Sequence, residues 1–317
     1  MRLQRNRRVG LVFGLLLVWP AAAHAWNGAG HRAIAEIAYD QLDTATRTRV
    51  AELLKKHPAA EKLWADRPTN GPNEELNLFG NASIFPDEAR RPPWDQYNRP
   101  TEHYVNFRIF AEEGNRVAPP IAAVSVLSSY PDHVRRGADA KTPVEERALD
   151  LSWIFHQAGD IHQPLHAVAR FSRALPEGDR GGNDVTVPNP NPIRNPIAEP
   201  SKKGRPARPY NLHAYWDDLL GRDDSPDGVK SLADSLMKEY PRASFTQELQ
   251  KMEIRDWAEE SVAVSLKTVY RDLDANVTRF DEMPIAYRAD AQRAARRRAA
   301  LAGYRLAAEL DRMFHSK

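Results

Sequence analysis

Two histidine–aspartate pairs constrain this chain more than any other feature. In LSWIFHQAGDIHQPLH, residues 151–166, His156 and Asp160 stand four apart. In NLHAYWDDLL, residues 211–220, His213 and Asp217 repeat the spacing. Residues four apart share one face of a helix, so each segment presents an imidazole beside a carboxylate. The neighbours are apolar: Trp153, Ile154 and Phe155 in the first case, Tyr215, Trp216 and Leu219 in the second. An ionised aspartate in such surroundings is costly without a partner. A divalent cation is a strong partner for clustered His and Asp, and nitrogen and oxygen donors suit zinc. Pro164 ends or kinks the first helix, and the bend can swing His166 back toward the same cavity. His162, six residues after His156, is turned away and is read as structural or as a support to the ligands rather than as a ligand.

The rest of the chain also reads as helical. HRAIAEIAYDQL and TRTRVAELLKKH carry apolar residues at three- and four-residue intervals, as do 120–136, 144–162, 227–240 and 246–275. Residues 285–314, rich in Ala, Arg and Leu, predict a long terminal helix with Arg296, Arg297 and Arg298 on a solvated face. Residues 186–209 are dense in proline, asparagine and basic side chains, and predict a surface loop inserted into one helical domain.

The N-terminus predicts export. Arg2, Arg5, Arg7 and Arg8 precede the apolar run LVFGLLLVWP, which is too short to span a bilayer. Ala23 and Ala25 then form a signal-peptidase recognition pair, so the domain starts at Trp26 and carries no membrane anchor. The Arg7-Arg8 pair raises a twin-arginine route on weak flanking support. Four of the 45 Lys and Arg residues lie in this leader, and none of the 43 Asp and Glu. What remains is slightly acidic, which argues against a strongly basic nucleic-acid groove. The chain has no cysteine, which excludes disulfides, cysteine zinc sites and a cysteine nucleophile.

Smaller segments add candidates. NASIFPDEARR sets Asp87 and Arg90 three apart, a common helix ion pair, and TEHYVNF sets His103 among β-branched and aromatic residues. A new N-terminus at Trp26 offers an amine and a carbonyl that together chelate a metal, with His31 as a third donor. From that segment alone the plainer reading is a buried aromatic beside the cut. His24 leaves with the leader. His57, His133 and His315 are expected to be exposed.

Together WNGAGH, PDEAR, EHYVN, HQAGDIHQPLH, GGN and NLHAYWD, in this order from Trp26 to Asp217, resemble the zinc-dependent single-strand nuclease family of the S1/P1 type. The resemblance implies a mainly α-helical fold, a single multi-helix domain around three zinc ions. One zinc would be held by Asp87, His103, His156 and Asp160. A neighbour would be held by Trp26, His31 and a bridging Asp160, and the third by His166, His213 and Asp217. It implies zinc-activated water attacking phosphorus in line, with Arg90 neutralising phosphoryl charge and Asp87 orienting the water. The substrates would be single-stranded DNA or RNA and 3′-nucleotides, the products 5′-phosphates, and the protein a periplasmic or secreted monomer. Asn183, in DRGGND, matches a position near the base pocket. Tyr104 stands where the family often has a stacking aromatic, with core packing an equal alternative. Asn106 replaces a frequent aspartate, and an amide both donates and accepts where a carboxylate only accepts. The basic residues Arg194, Lys202, Lys203, Arg205 and Arg208 of the insertion suit either a substrate clamp or a passive loop.

Two rival readings remain. A zinc-dependent phospholipase C shares the N-terminal tryptophan, but the five-residue step from Trp26 to His31 and an aspartate at 217 favour the nucleases. A non-catalytic zinc-binding protein would not need Arg90.

Overall fold

The computed structural model describes residues 26–61, 73–189, 210–271, 278–279 and 282–314. The expected leader, most of the expected 186–209 insertion with its five basic residues, and His315 lie outside them.

Side-chain caps start several of the helices. α1 (Gly28–Gln41) begins at Asn27, whose side chain accepts from the Gly30 N–H. α2 (Thr44–Leu54) is capped in the same way by Asp43. α3 (Glu74–Glu88) precedes the only described sheet, with α4 (Val126–Ala138) and α5 (Val144–Asp160) after its first two strands. α6 (Leu212–Asp217) starts at the Asn211 cap, and α7 (Pro226–Glu239) at the Ser225 cap followed by Pro226. α8 (Ile254–Val264) and α9 (Ile285–Phe314) complete the helices among the described residues. α1 packs against α9, α3 and α7, while α5 packs against α4, α3 and α9. The two helices at the centre of the bundle are thus the ones that carry His31, His156 and Asp160.

A small sheet joins β1 (Phe107–Phe110), β2 (Arg116–Ala118) and β3 (Val168–Phe171) in the order β2-β1-β3. β1 runs antiparallel to β2 and parallel to β3. These strands were not expected from periodicity, because each is only three or four residues long.

Other expectations need correction. The helix expected over 120–136 begins only at Val126. The stretch 246–275 is not one helix: a short 3-10 turn at Glu248–Gln250 precedes α8, and a π turn over Ser265–Val269 follows it. His57 is buried, not exposed, because the chain folds back after α2 and lays its ring edge-on to Phe85, with centroids 4.4 Å apart. That burial lowers its pKa to about 3. His133 is buried too, between Asp150 Oδ1 at 2.7 Å and Glu102 Oε2 at 2.9 Å. The run 296–298 is not a solvated face. Arg298 turns into the core, where it bonds Glu260 at 2.7 Å and the Ser261 hydroxyl at 2.7 Å.

Candidate metal centre

Six segments meet at one place. α1 brings His31, α3 brings Asp87, and the loop before β1 brings His103. α5 brings His156 and Asp160, the 3-10 turn Pro164–His166 brings His166, and α6 brings His213 and Asp217. His103 Nδ1, His156 Nε2 and Asp160 Oδ2 form a triangle with sides of 3.0, 3.0 and 3.3 Å. The other Asp160 oxygen lies 3.3 Å from His31 Nε2, so this carboxylate faces two groups of donors at once. Asp87 Oδ1 lies 3.6 Å from His156 Nε2. Farther along, His166 Nε2 is 3.2 Å from His213 Nε2, which is 3.6 Å from Asp217 Oδ2. Three donor groups result: His31, Asp87 and His156; His103, His156 and Asp160; and His166, His213 and Asp217.

These spacings suit cations. Around a tetrahedral zinc with bonds of about 2.0 Å, neighbouring ligand atoms stand about 3.3 Å apart. Hydrogen bonds alone do not account for the arrangement. His156 Nδ1 faces the Ser83 carbonyl at 2.8 Å, His166 Nδ1 the His103 carbonyl at 2.8 Å, and His213 Nδ1 the Gly181 carbonyl at 2.7 Å. A carbonyl only accepts, so each ring keeps its proton on Nδ1 and turns the Nε2 lone pair inward. In the His166–His213 contact two lone pairs then face each other, an arrangement that calls for a proton or a cation between them.

Electrostatics point the same way. Burial, then the Arg90 charge, holds His103 well below the ordinary imidazole pKa, and burial lowers His156 as well. Both rings are neutral near pH 7, the form that donates a lone pair. Burial pushes the Asp217 carboxyl well above its ordinary range, against a hydrogen bond from Gln163, with Asp218, Asp87 and Asp160 adding to the rise. A cation would remove that penalty.

Trp26 is fully buried, and its indole N–H donates to the Gly159 carbonyl at 3.1 Å. The Asn27 N–H reaches the Asp217 carbonyl at 3.4 Å, which places Trp26 between α5 and α6. Arg90 Nη2 lies 2.7 Å from Asp87 Oδ1, and both side chains are half-buried. Tyr104 and Asn106 follow His103 and are half-buried. Asn183 is half-buried, and its amide donates to the Arg180 carbonyl at 2.9 Å. His162 points away, with Nδ1 on the Ala158 carbonyl at 2.7 Å and Nε2 facing Arg305 at 3.0 Å, in line with the structural reading.

Two residues that shape the centre, Gln163 and Gly159, carried no sequence signal of their own. Gln163 holds Asp217 Oδ1 at 2.7 Å while accepting from the Leu165 N–H at 2.6 Å. Gly159 leaves room for His31, since a Cβ there would stand 2.7 Å from its Nδ1. Gly181 has φ +62°, and its Cβ would meet the Leu165 carbonyl at 2.5 Å, so its own carbonyl reaches His213 only as glycine.

Similarity to known proteins agrees with this geometry. Endonuclease 2 of Arabidopsis thaliana is 26% identical over 335 residues, covering 96% of this chain and 97% of the relative. Endonuclease 3 of the same plant is 23% identical, over 93% of this chain and 91% of its own length. The family described as S1/P1 Nuclease matches residues 26–315. With that match spanning the whole bundle and every segment of the centre, the chain belongs to the S1/P1 nuclease family, hydrolases that act on nucleic-acid phosphodiester bonds.

Proposed function

We propose that this protein is a zinc-dependent endonuclease that cleaves single-stranded DNA and RNA to 5′-phosphate products and also acts on 3′-nucleotides. The observation that carries the reading is the convergence of eight buried or half-buried His and Asp side chains at ligand-to-ligand distances beside Arg90, which bonds Asp87. His31, Asp87, His103, His156, Asp160, His166, His213 and Asp217, with the amine and carbonyl of Trp26 after removal of residues 1–25, would hold three zinc ions. Bound zinc would lower the pKa of water and draw charge from the phosphoryl oxygens.

The chain's own groups do the rest. Arg90 meets the phosphate and binds its oxygens by charge-assisted hydrogen bonds. The Asp87 carboxylate orients the attacking water and accepts its proton. Asp160, with one oxygen toward His31 and the other toward His103 and His156, keeps two sets of donors in register. Tyr104, Asn106 and Asn183 contact a base beside the scissile bond, and an unpaired base is what a stacking aromatic requires. The leader directs export to the periplasm or beyond, the protein acts as a monomer, and Trp26 couples removal of the leader to metal binding.

The test compares the protein starting at Trp26 with a form bearing one extra N-terminal residue. The first should release acid-soluble nucleotides from single-stranded DNA, stop with chelator and hold three zinc ions. The second should hold fewer and act weakly. Equal activity and zinc content would make Trp26 a packing residue only. Zinc binding without release would favour a phospholipase or a binding protein, separated by assaying phosphatidylcholine.

A further inference from the structure

The small sheet begins at the metal centre and runs away from it. β1 starts four residues after His103 and β3 two after His166, and the two segments are zipped before the strands begin. The Val105 N–H donates to the His166 carbonyl at 2.8 Å and the Phe107 N–H to the Ala167 carbonyl at 2.9 Å. Burial alternates along 103–110: His103, Val105, Phe107 and Ile109 are buried, while Tyr104, Asn106, Arg108 and Phe110 are half-buried. Alternation in an extended chain puts the second set on one face.

That face continues across the neighbouring strands. Phe110 pairs in register with Phe171 on one side and Arg116 on the other. The Phe110 and Phe171 rings lie 5.6 Å apart at 31°. The Arg116 guanidinium sits 4.4 Å over the Phe110 ring, and that of Arg108 5.8 Å from it. Phe171 is backed by Gly178, where a Cβ would stand 3.0 Å from the ring. Two adjacent aromatics, one of them with two arginines around its ring and both reached by a polar stripe from the candidate ligand His103, form a surface of the composition that single-stranded nucleic acid selects. At about 3.3 Å per residue, Phe110 lies roughly 20 Å along the strand from Tyr104, beyond the reach of the nucleotide being cleaved.

We propose that Arg108, Phe110, Arg116 and Phe171 form a remote stacking platform for single-stranded nucleic acid, which holds nucleotides of a long substrate while its scissile bond lies at the metal centre. This rests on the nuclease reading and adds to it a preference for polymers over short substrates. Arg116 swings from the Phe110 ring to a phosphate, which frees that ring face for a base, and Arg108 meets a neighbouring phosphate. Glu113 bonds Arg116 at 2.5 Å, but both side chains are about half exposed, at 53% and 51%. Such a pair is weak in water and gives way to a phosphodiester. Glu112 is occupied by the Arg173 N–H at 2.7 Å.

The test measures steady-state cleavage of a dT12 oligonucleotide and of the dinucleotide dTpdT by the zinc-loaded protein from Trp26, as wild type, F110L/F171L and R116Q. Binding of labelled dT12 to the chelator-treated proteins is followed by fluorescence anisotropy. F110L/F171L should raise KM for dT12 and weaken its binding by roughly tenfold, with kcat and dinucleotide cleavage within twofold of wild type. R116Q, an exposed change that leaves the core intact, should flatten the slope of log affinity against log salt by about 0.7. Unchanged dT12 kinetics and salt slope would overturn the platform, as would a parallel fall on both substrates. A wild type that dimerises through this face, with substrate kinetics indifferent to F110L/F171L, would assign the face to a second copy and also overturn it. A wild type that cleaves neither substrate would instead sink the nuclease reading.

Discussion

A single methyl group at position 159 is enough to disturb the centre. A Cβ there would stand 2.7 Å from His31 Nδ1 and 2.8 Å from its Cε1, and His31 stacks on His156 with centroids 4.2 Å apart. Neither ring can retreat into the packed helices behind it. G159A should therefore cost about 1–3 kcal/mol of stability and lower metal retention; urea unfolding and metal analysis at normal yield and stability would refute this. Arg90 gives the opposite pattern, since it bonds Asp87 and supplies no lone pair to a metal. R90A should cut turnover by about a hundredfold or more while leaving metal content unchanged, as read by single-turnover kinetics on the loaded protein. His133 offers a pH signature. Burial works against its protonation, but hydrogen bonds and charge from Asp150 and Glu102 prevail and raise its pKa above the ordinary 6.5. The protonated ring thus stabilises the fold fully below the unfolded-state value, and that contribution is lost as pH rises through the folded-state value. H133Q should lower Tm more at pH 6 than at pH 9; an equal loss at both would mean the ring acts by packing alone.

At the scale of elements, the C-terminal helices act as a cradle for the turn that carries His166. α5 ends at Asp160 and leaves carbonyls without helical donors. The Ser261 hydroxyl donates to the Ile161 carbonyl at 2.5 Å, Arg298 Nε to the His162 carbonyl at 3.3 Å, and the Ser265 hydroxyl to the Pro164 carbonyl at 3.0 Å. Ser265 opens the π turn, whose extra residue alters the helical stagger at the contact with Pro164. S261A/S265A should cost about 1–3 kcal/mol and release metal preferentially from the His166, His213 and Asp217 group, as metal-titration stoichiometry would reveal; unaltered stoichiometry with lowered stability would limit the serines to a structural part. No sequence pattern announced this cradle. The apolar period of 3.6 made α1, α5, α7 and α9 legible, and four-residue spacing paired His156 with Asp160 and His213 with Asp217. Backbone carbonyls carry no letter in the sequence, so Ser83, Gly181 and Ile161 were invisible as partners. Gln163 acts on Asp217 from 54 positions away. The strands escaped because four residues are too few to display a period, and 246–275 misled because its apolar spacing continues through turns of different pitch.

For the whole molecule, the centre is also the keystone of the bundle. Asp160 is fully buried and Asp217 nearly so, both at the meeting of α1, α3, α5 and α6. A ligand bound only by the native state adds about 4 kcal/mol per site at a thousandfold excess over Kd. Chelation should therefore lower Tm by roughly 10 °C or more in calorimetry and restore it on zinc addition; an unmoved Tm would mean that the side chains support one another without metal. The expected insertion at 186–209 is anchored at both ends. Its flanks are pinned to each other, with the Val187 N–H on the Tyr210 carbonyl at 3.0 Å and the Leu212 N–H on the Val185 carbonyl at 2.8 Å. The chain leaves and returns through the same clasp, so Gly181 and His213 keep their separation whatever lies between. Doubling the length of a closed loop costs only about 0.6 kcal/mol. The clasp makes this position a graft site: a foreign peptide or a pair of new chain termini placed there should leave metal content unchanged, because Gly181 and His213 stay where they are.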